Sequence, residues 1–92
     1  MNKYNDIIIS KSEIYFTLRS NEMPIVIAPI GRPLKVVKIL ANEKTKKHLA
    51  NLGITVDSVL EVLSSSGGSV ICLIKEGRLA LDSSLATKII VA

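Results

Sequence analysis

The sequence predicts a mainly β fold: a small closed or nearly closed barrel of short strands that carries one short α-helix. Three observations lead there. Five or so short runs rich in Val, Ile and Leu are separated by turn-forming residues, one segment from Asn42 to Gly53 has helix punctuation at both ends, and the connections are too short for helical crossovers. A chain of 92 residues builds one compact domain. With 48% hydrophobic and 3% aromatic residues, nearly all of its Ile, Val and Leu are expected inside, leaving little room for a deep substrate cavity. Closure would also hide the strand edges of so aliphatic a sheet.

Residues 1–23 read as an N-terminal extension, with the main domain at 24–92. Ile14, Phe16 and Leu18 alternate at period two, and Ile7, Ile8 and Ile9 form a second β-prone run. A lone hairpin is marginal, so this segment is expected to add a strand to the main body or to another copy. Pro24, Pro29, Gly31 and Pro33 impose extended and turn geometry and exclude a helix. From Leu34 to Leu40 the chain reads as a strand whose Lys35 and Lys38 lie on different faces.

The helix begins at Asn42, whose side chain can accept from the orphan amide near Thr45, and ends at Gly53, which suits the left-handed residue that closes a helix. Ile54 is placed to touch Leu49 across that end. Thr45, His48, Leu49 and Leu52 share one face. So short a helix is unstable alone, so Leu49 and Leu52 must pack on the sheet and leave Lys44, Lys46 and Lys47 solvated. Val59 to Leu63 is the next strand, the polar segment 64–69 a connection, and Val70 to Ile74 its return. Residues 75–78 form a turn before a short strand from Leu79 to Leu81. Asp82 caps a single helical turn through Leu85, Ala86 and Thr87, and Ile89 to Val91 forms the last strand.

The formal charge of +4 is concentrated in the middle of the chain. Residues 24–52 hold Arg32, Lys35, Lys38, Lys44, Lys46 and Lys47 against Glu43, whereas the segments before and after are close to neutral. Such a patch favours acidic partners without naming one. The longest apolar stretch, Met23 to Gly31, falls far short of the ~18–20 residues of a membrane span. No basic flank and apolar segment mark a leader, so a cytoplasmic protein without membrane insertion is expected.

Reactive chemistry is sparse. The single histidine, His48, has no nucleophile placed beside it, and the eight carboxylates set up no acid and base pair. Cys72, the only cysteine, sits in an apolar run and reads as a small core side chain. One His and one Cys cannot supply the shell of a structural zinc. No resident cofactor is expected, and ferrous iron at most as a weak or transient contact. Gly67 and Gly68 lack the Lys-Ser/Thr of a phosphate loop and form a turn. Specific nucleic-acid binding is not expected either, because residues 24–92 hold no aromatic side chain on which bases could stack.

From Pro24 onward the chain resembles the ferrous iron transport protein A (FeoA) family. The resemblance is carried by Gly31-Arg32-Pro33-Leu34-Lys35-Val36-Val37-Lys38-Ile39, by His48-Leu49-Ala50-Asn51-Leu52-Gly53-Ile54 and by Ser58-Val59-Leu60-Glu61-Val62-Leu63-Ser64. Gly77-Arg78-Leu79-Ala80-Leu81-Asp82 and Ala86-Thr87-Lys88-Ile89-Ile90-Val91 complete it. It departs at Val56-Asp57, where the family usually has a glycine before the strand, and in the extension, which the minimal member lacks. The resemblance implies an SH3-like barrel with a helix inserted after its first strand. It also implies an accessory role in bacterial ferrous iron uptake with the membrane permease and GTPase called ferrous iron transport protein B, and it supplies no catalytic residues.

The leading expectation is therefore a non-enzymatic interaction module that docks on the permease, with Lys44, Lys46 and Lys47 as one contact by charge reasoning. The extension offers a self-association surface. A transition-metal-responsive regulatory barrel is the alternative, and a non-specific nucleic-acid-binding barrel, held by salt-sensitive phosphate contacts, comes third.

Overall fold

The structure, a computed structural model, describes residues 21–92. The expectations for Ile7 to Ile9, and for the strand of Ile14, Phe16 and Leu18, lie outside the described residues. In chain order the elements are β1 (Met23–Pro24), a 3-10 turn (Ile25–Ile27), β2 (Pro33–Ile39), α1 (Glu43–Asn51) and β3 (Val59–Ser66). They continue with β4 (Ser69–Ile74), β5 (Gly77–Leu81), α2 (Ser83–Ala86) and β6 (Ile89–Val91). The strands form one antiparallel sheet in the order β1-β6-β2-β3-β4-β5, with Met23, assigned above to the extension, already paired to Val91.

The sheet has two ends, β1 and β5, and wraps its core without a pairing between them among the described residues. Closure is instead approached by the segment after β1. Ile30 bridges Val62, the Gly31 amide donates to the Val62 carbonyl at 2.9 Å, and the Ser65 hydroxyl donates to the Val26 carbonyl at 3.1 Å. The expectation that no helix forms between Pro24 and Pro33 fails by one 3-10 turn. Such a turn needs a single i to i+3 bond, here from the Ala28 amide to the Ile25 carbonyl at 3.1 Å, and Pro24 lies just outside it.

The β3-β4 hairpin is longer than the sequence predicts. Ser64, Ser65 and Ser66, expected in a loop, continue β3 and pair with Ile71, Val70 and Ser69. Gly67 and Gly68 have φ of +59° and +85°, so these two residues supply the whole turn in the geometry that matches strand twist. The register shift between Val62 and Ser64 leaves Leu63 as the extra residue of a bulge. Ile74 pairs with Gly77, which brings Gly77 and Arg78, expected in a turn, into β5.

A second bulge changes the reading of β2. Period two would place Lys35 and Lys38 on opposite faces, yet both are exposed while Leu34, Val36 and Ile39 are buried. The pairing with β6 shifts between Val36 and Lys38, so Val37 is an inserted residue that resets the alternation and returns Lys38 to the outside. The core inside the sheet joins Ile25, Leu34, Val36, Leu49, Ile54, Leu60, Val62, Val70, Cys72, Leu81, Ile89 and Val91.

Not all aliphatic residues fit inside. Ile27 is 70% exposed, Ile30 60% and Val59 60%, with Leu40, Val56, Ile71 and Leu73 also on the outside. One thin core covers one face of each strand, so an aliphatic sequence on a small domain leaves apolar groups in water. Among the described residues no helix is long and apolar enough to cross a membrane.

Candidate functional site

The site is built around α1, whose ends are set by local chemistry. The Asn42 side chain accepts from the Thr45 amide at 2.8 Å, as expected of an N-cap, and Asn42 itself is extended with φ −73° and ψ 171°. At the other end the Gly53 amide donates to the Ala50 carbonyl at 3.0 Å and the Ile54 amide to the Leu49 carbonyl at 2.9 Å. With Gly53 at φ +102° these are the two bonds of a Schellman end. Leu49 and Ile54 are both fully buried in the core. They fasten the helix, and its far side remains in solvent.

Between α1 and β2 lies an open groove of about 560 Å³. Its apolar lining comes from Val37 and Ile39 of β2, Ala50 of α1, and Ile54 and Val56 of the turn that follows the helix. Its polar lining is Lys38, Lys46, Lys47 and Glu43. Glu43, Lys46, Lys47 and Ala50 fall on one helix stripe at the i, i+3, i+4 and i+7 spacing. Ala50 opens the stripe toward the floor, because a methyl group occupies little of the gap.

Of the three lysines singled out by charge, all are exposed, and the structure brings two of them to this groove. Lys46 Nζ lies 3.7 Å from Glu43 Oε2, a surface pair of little energetic weight. Lys44 does not line the groove. Lys38, which the sequence placed in a strand and in the basic segment but not among the contact residues, does, and its Nζ is 3.9 Å from Glu22 Oε1. The signal for Ala50 was present in the stripe, but nothing local revealed the facing strand.

The turn from Ile54 into β3 carries the departure noted at Val56-Asp57. Asp57 has φ +77°, the left-handed conformation that glycine adopts freely and that Asp tolerates better than most residues. Its amide donates to the Val36 carbonyl at 2.7 Å, and the Val36 amide donates to the Ser58 carbonyl at 2.8 Å. The turn thus plugs the side of β2 that β3 does not reach.

Reactive groups lie elsewhere and apart. His48 is exposed in the last turn of α1. Cys72 is fully buried in β4, as expected of a core side chain, and burial pushes its thiol pKa up. Among the described residues no three His, Cys, Asp or Glu side chains come together as a metal shell. The chemistry this surface can perform is recognition: apolar burial along the floor and charge pairing at the rim.

Comparison with known proteins agrees on the fold. A 25% identical solved structure, an iron uptake regulatory protein (FeoA), superposes with a TM-score of 0.69 over 76% of this chain and 95% of its own. A manganese-dependent transcriptional repressor, also 25% identical, gives 0.70 over 78% of this chain, which spans only 41% of that longer protein. A FeoA-like protein from Clostridium acetobutylicum, 17% identical, gives 0.66 over 79% of this chain and 87% of its own. No curated protein shows a match in sequence. The fold is mainly β and SH3-like, with the helix inserted after the longest N-terminal strand. The FeoA domain model matches residues 23–92, from the first paired residue of β1 to the C-terminus, and the chain belongs to the FeoA domain family.

Proposed function

We propose that this ferrous-iron-transport-associated domain is a non-enzymatic interaction module that docks, in the cytoplasm, on the cytosolic part of the permease and GTPase ferrous iron transport protein B. The observation that carries this reading is the FeoA domain match over residues 23–92. The surface supports it. The groove beside α1 is open, apolar and cationic, suited to a protein contact, and no donor cluster accompanies it among the described residues. Iron is then the cargo of the partner, touched at most in passing by this chain.

The test is capture of the full chain by the purified cytosolic domain of the permease. Wild-type protein is expected to be retained, and the triple variant Lys44→Glu, Lys46→Glu, Lys47→Glu to be lost, with iron uptake falling in parallel. Exposed sites of this kind change stability by only about 0.5 kcal/mol each, so the melting temperature serves as the folding control. Equal retention and unchanged uptake would remove the lysines from the contact.

The similarity to manganese-dependent repressors favours a second reading, a metal-responsive regulatory domain. Anaerobic titration with ferrous or manganous ion separates the two, because the docking reading requires no saturable site on the isolated chain.

A further inference from the structure

We propose that the groove between β2 and α1 receives an extended segment of a partner protein, in which apolar residues alternate with Asp or Glu, bound as a strand added along β2. This deepens the docking reading and rests on it for the identity of the partner, although the binding chemistry stands on the groove alone.

The first argument is a stretch of β2 that has no sheet neighbour on its β3 side among the described residues. β3 pairs with β2 only from Pro33 to Lys35, and the next groups on that side, the amide and carbonyl of Val36, are taken by Ser58 and Asp57. On the other side of β2, Lys35 exchanges both bonds with Ala92, Lys38 faces Ile90, and the Leu40 amide donates to the Lys88 carbonyl. The antiparallel pattern therefore turns the backbone of Ile39 away from β6 and toward the groove. Nothing in the 54–58 turn bonds to it. A sheet edge facing a helix across an apolar gap is the arrangement by which proteins capture extended peptides.

The second argument is the alternation of lining chemistry. An added strand directs successive side chains to opposite sides. One set meets Val37, Ala50 and Val56, and the other meets the rim. At the rim Lys38, Lys46 and Lys47 stand against Glu43 and against Glu22 beside Lys38, an excess of one positive charge, within a segment 24–52 that holds six basic residues and the single acid Glu43. Charge complementarity selects carboxylates. The helix stripe from Glu43 to Ala50 runs about 10 Å, enough for roughly three to four extended residues. A single-stranded nucleic acid fits the charge but not the floor, since the described residues contain no aromatic platform.

The test uses the full chain, isotope-labelled, titrated with a synthetic peptide of roughly ten residues that alternates Val and Glu, and with its counterpart carrying Lys for Glu. The acidic peptide is expected to move the amide signals of Lys38, Ile39 and Ala50 and to bind about tenfold or more tighter than the basic one. Ala50→Trp, on an exposed helix position, fills the gap and is expected to abolish binding while leaving the melting temperature unchanged. N-methylation along one edge of the peptide is expected to weaken binding without changing its charge. Equal affinity for the two peptides, signals moving elsewhere, or full binding by Ala50→Trp would each overturn the proposal. So would binding that appears only after residues 1–20 are removed, because the occupant would then be the chain's own N-terminal segment. Peptide binding without capture by the permease would sink the docking reading alone. Capture unaffected by Ala50→Trp would sink the groove alone.

Discussion

The two halves of the sheet are assembled by different rules. On one side β3, β4 and β5 form a meander joined by the turns Gly67-Gly68 and Lys75-Glu76, with each strand lying beside its neighbour in sequence. On the other side β1, β6 and β2 bring the start of the described chain against its end, with a bulge at Val37 and pairings only two or three residues long. The pairing of β3 with β2 stops at Lys35, and the groove between β2 and α1 is what remains. Beyond Lys35 that side of β2 is left without a sheet neighbour among the described residues.

That contrast can be broken at Leu49, the fully buried side chain of α1. Leu49→Ala is expected to cost about 2–5 kcal/mol in urea unfolding. Hydrogen exchange should rise first in α1 and the far half of β2 while the meander stays protected. Uniform loss of protection would show that the two halves unfold as one.

A smaller effect is expected where the turn plugs β2. Asp57→Val places a β-branched residue at φ +77° and is expected to lower stability by about 1–2 kcal/mol. Asp57→Gly relieves the strain but loosens the unfolded chain by about 0.4–1 kcal/mol, so thermal unfolding should hardly change.

The smallest effect sharpens the comparison from the meander side. Asp82 caps α2, accepting from the Ser84 hydroxyl at 2.7 Å and the Leu85 amide at 3.0 Å, and these bonds, led by the one from Ser84, hold its pKa below the ordinary carboxylate value. A carboxylate lowered in the fold adds stability above its unfolded pKa and loses it as pH falls through the folded one. Melting temperatures of wild type and Asp82→Asn should therefore differ slightly near neutrality and converge in acid, with the groove unaffected. A gap that stays constant with pH would show that the carboxylate charge contributes nothing.

Legibility followed the same division. Asn42, Gly53 and Asp82 announced their roles because a cap is settled within a few residues of itself. Cys72 was readable as a core side chain, but residues 70–74 are apolar throughout, so the choice of Val70, Cys72 and Ile74 over Ile71 and Leu73 for the inside of β4 is set only by the pairing on either side. Val37 was not readable, since a bulge exists only relative to its partner, and β6 comes from the other end of the chain. The serines before Gly67 looked like loop by composition, although the two glycines suffice for the turn. Charge singled out α1 but Lys44 as readily as Lys46 and Lys47, because a rim is defined by the strand opposite. The extension lies outside what the structure describes.

The sealed position of Cys72 has a practical side. A thiol with no solvent exposure and a raised pKa stays silent toward alkylating reagents in the folded protein. As the chain has no other cysteine, one introduced at Val56 or Lys47 would be the sole attachment point for a fluorophore. The molecule thus comes ready for reporters that watch a visitor arrive beside the helix.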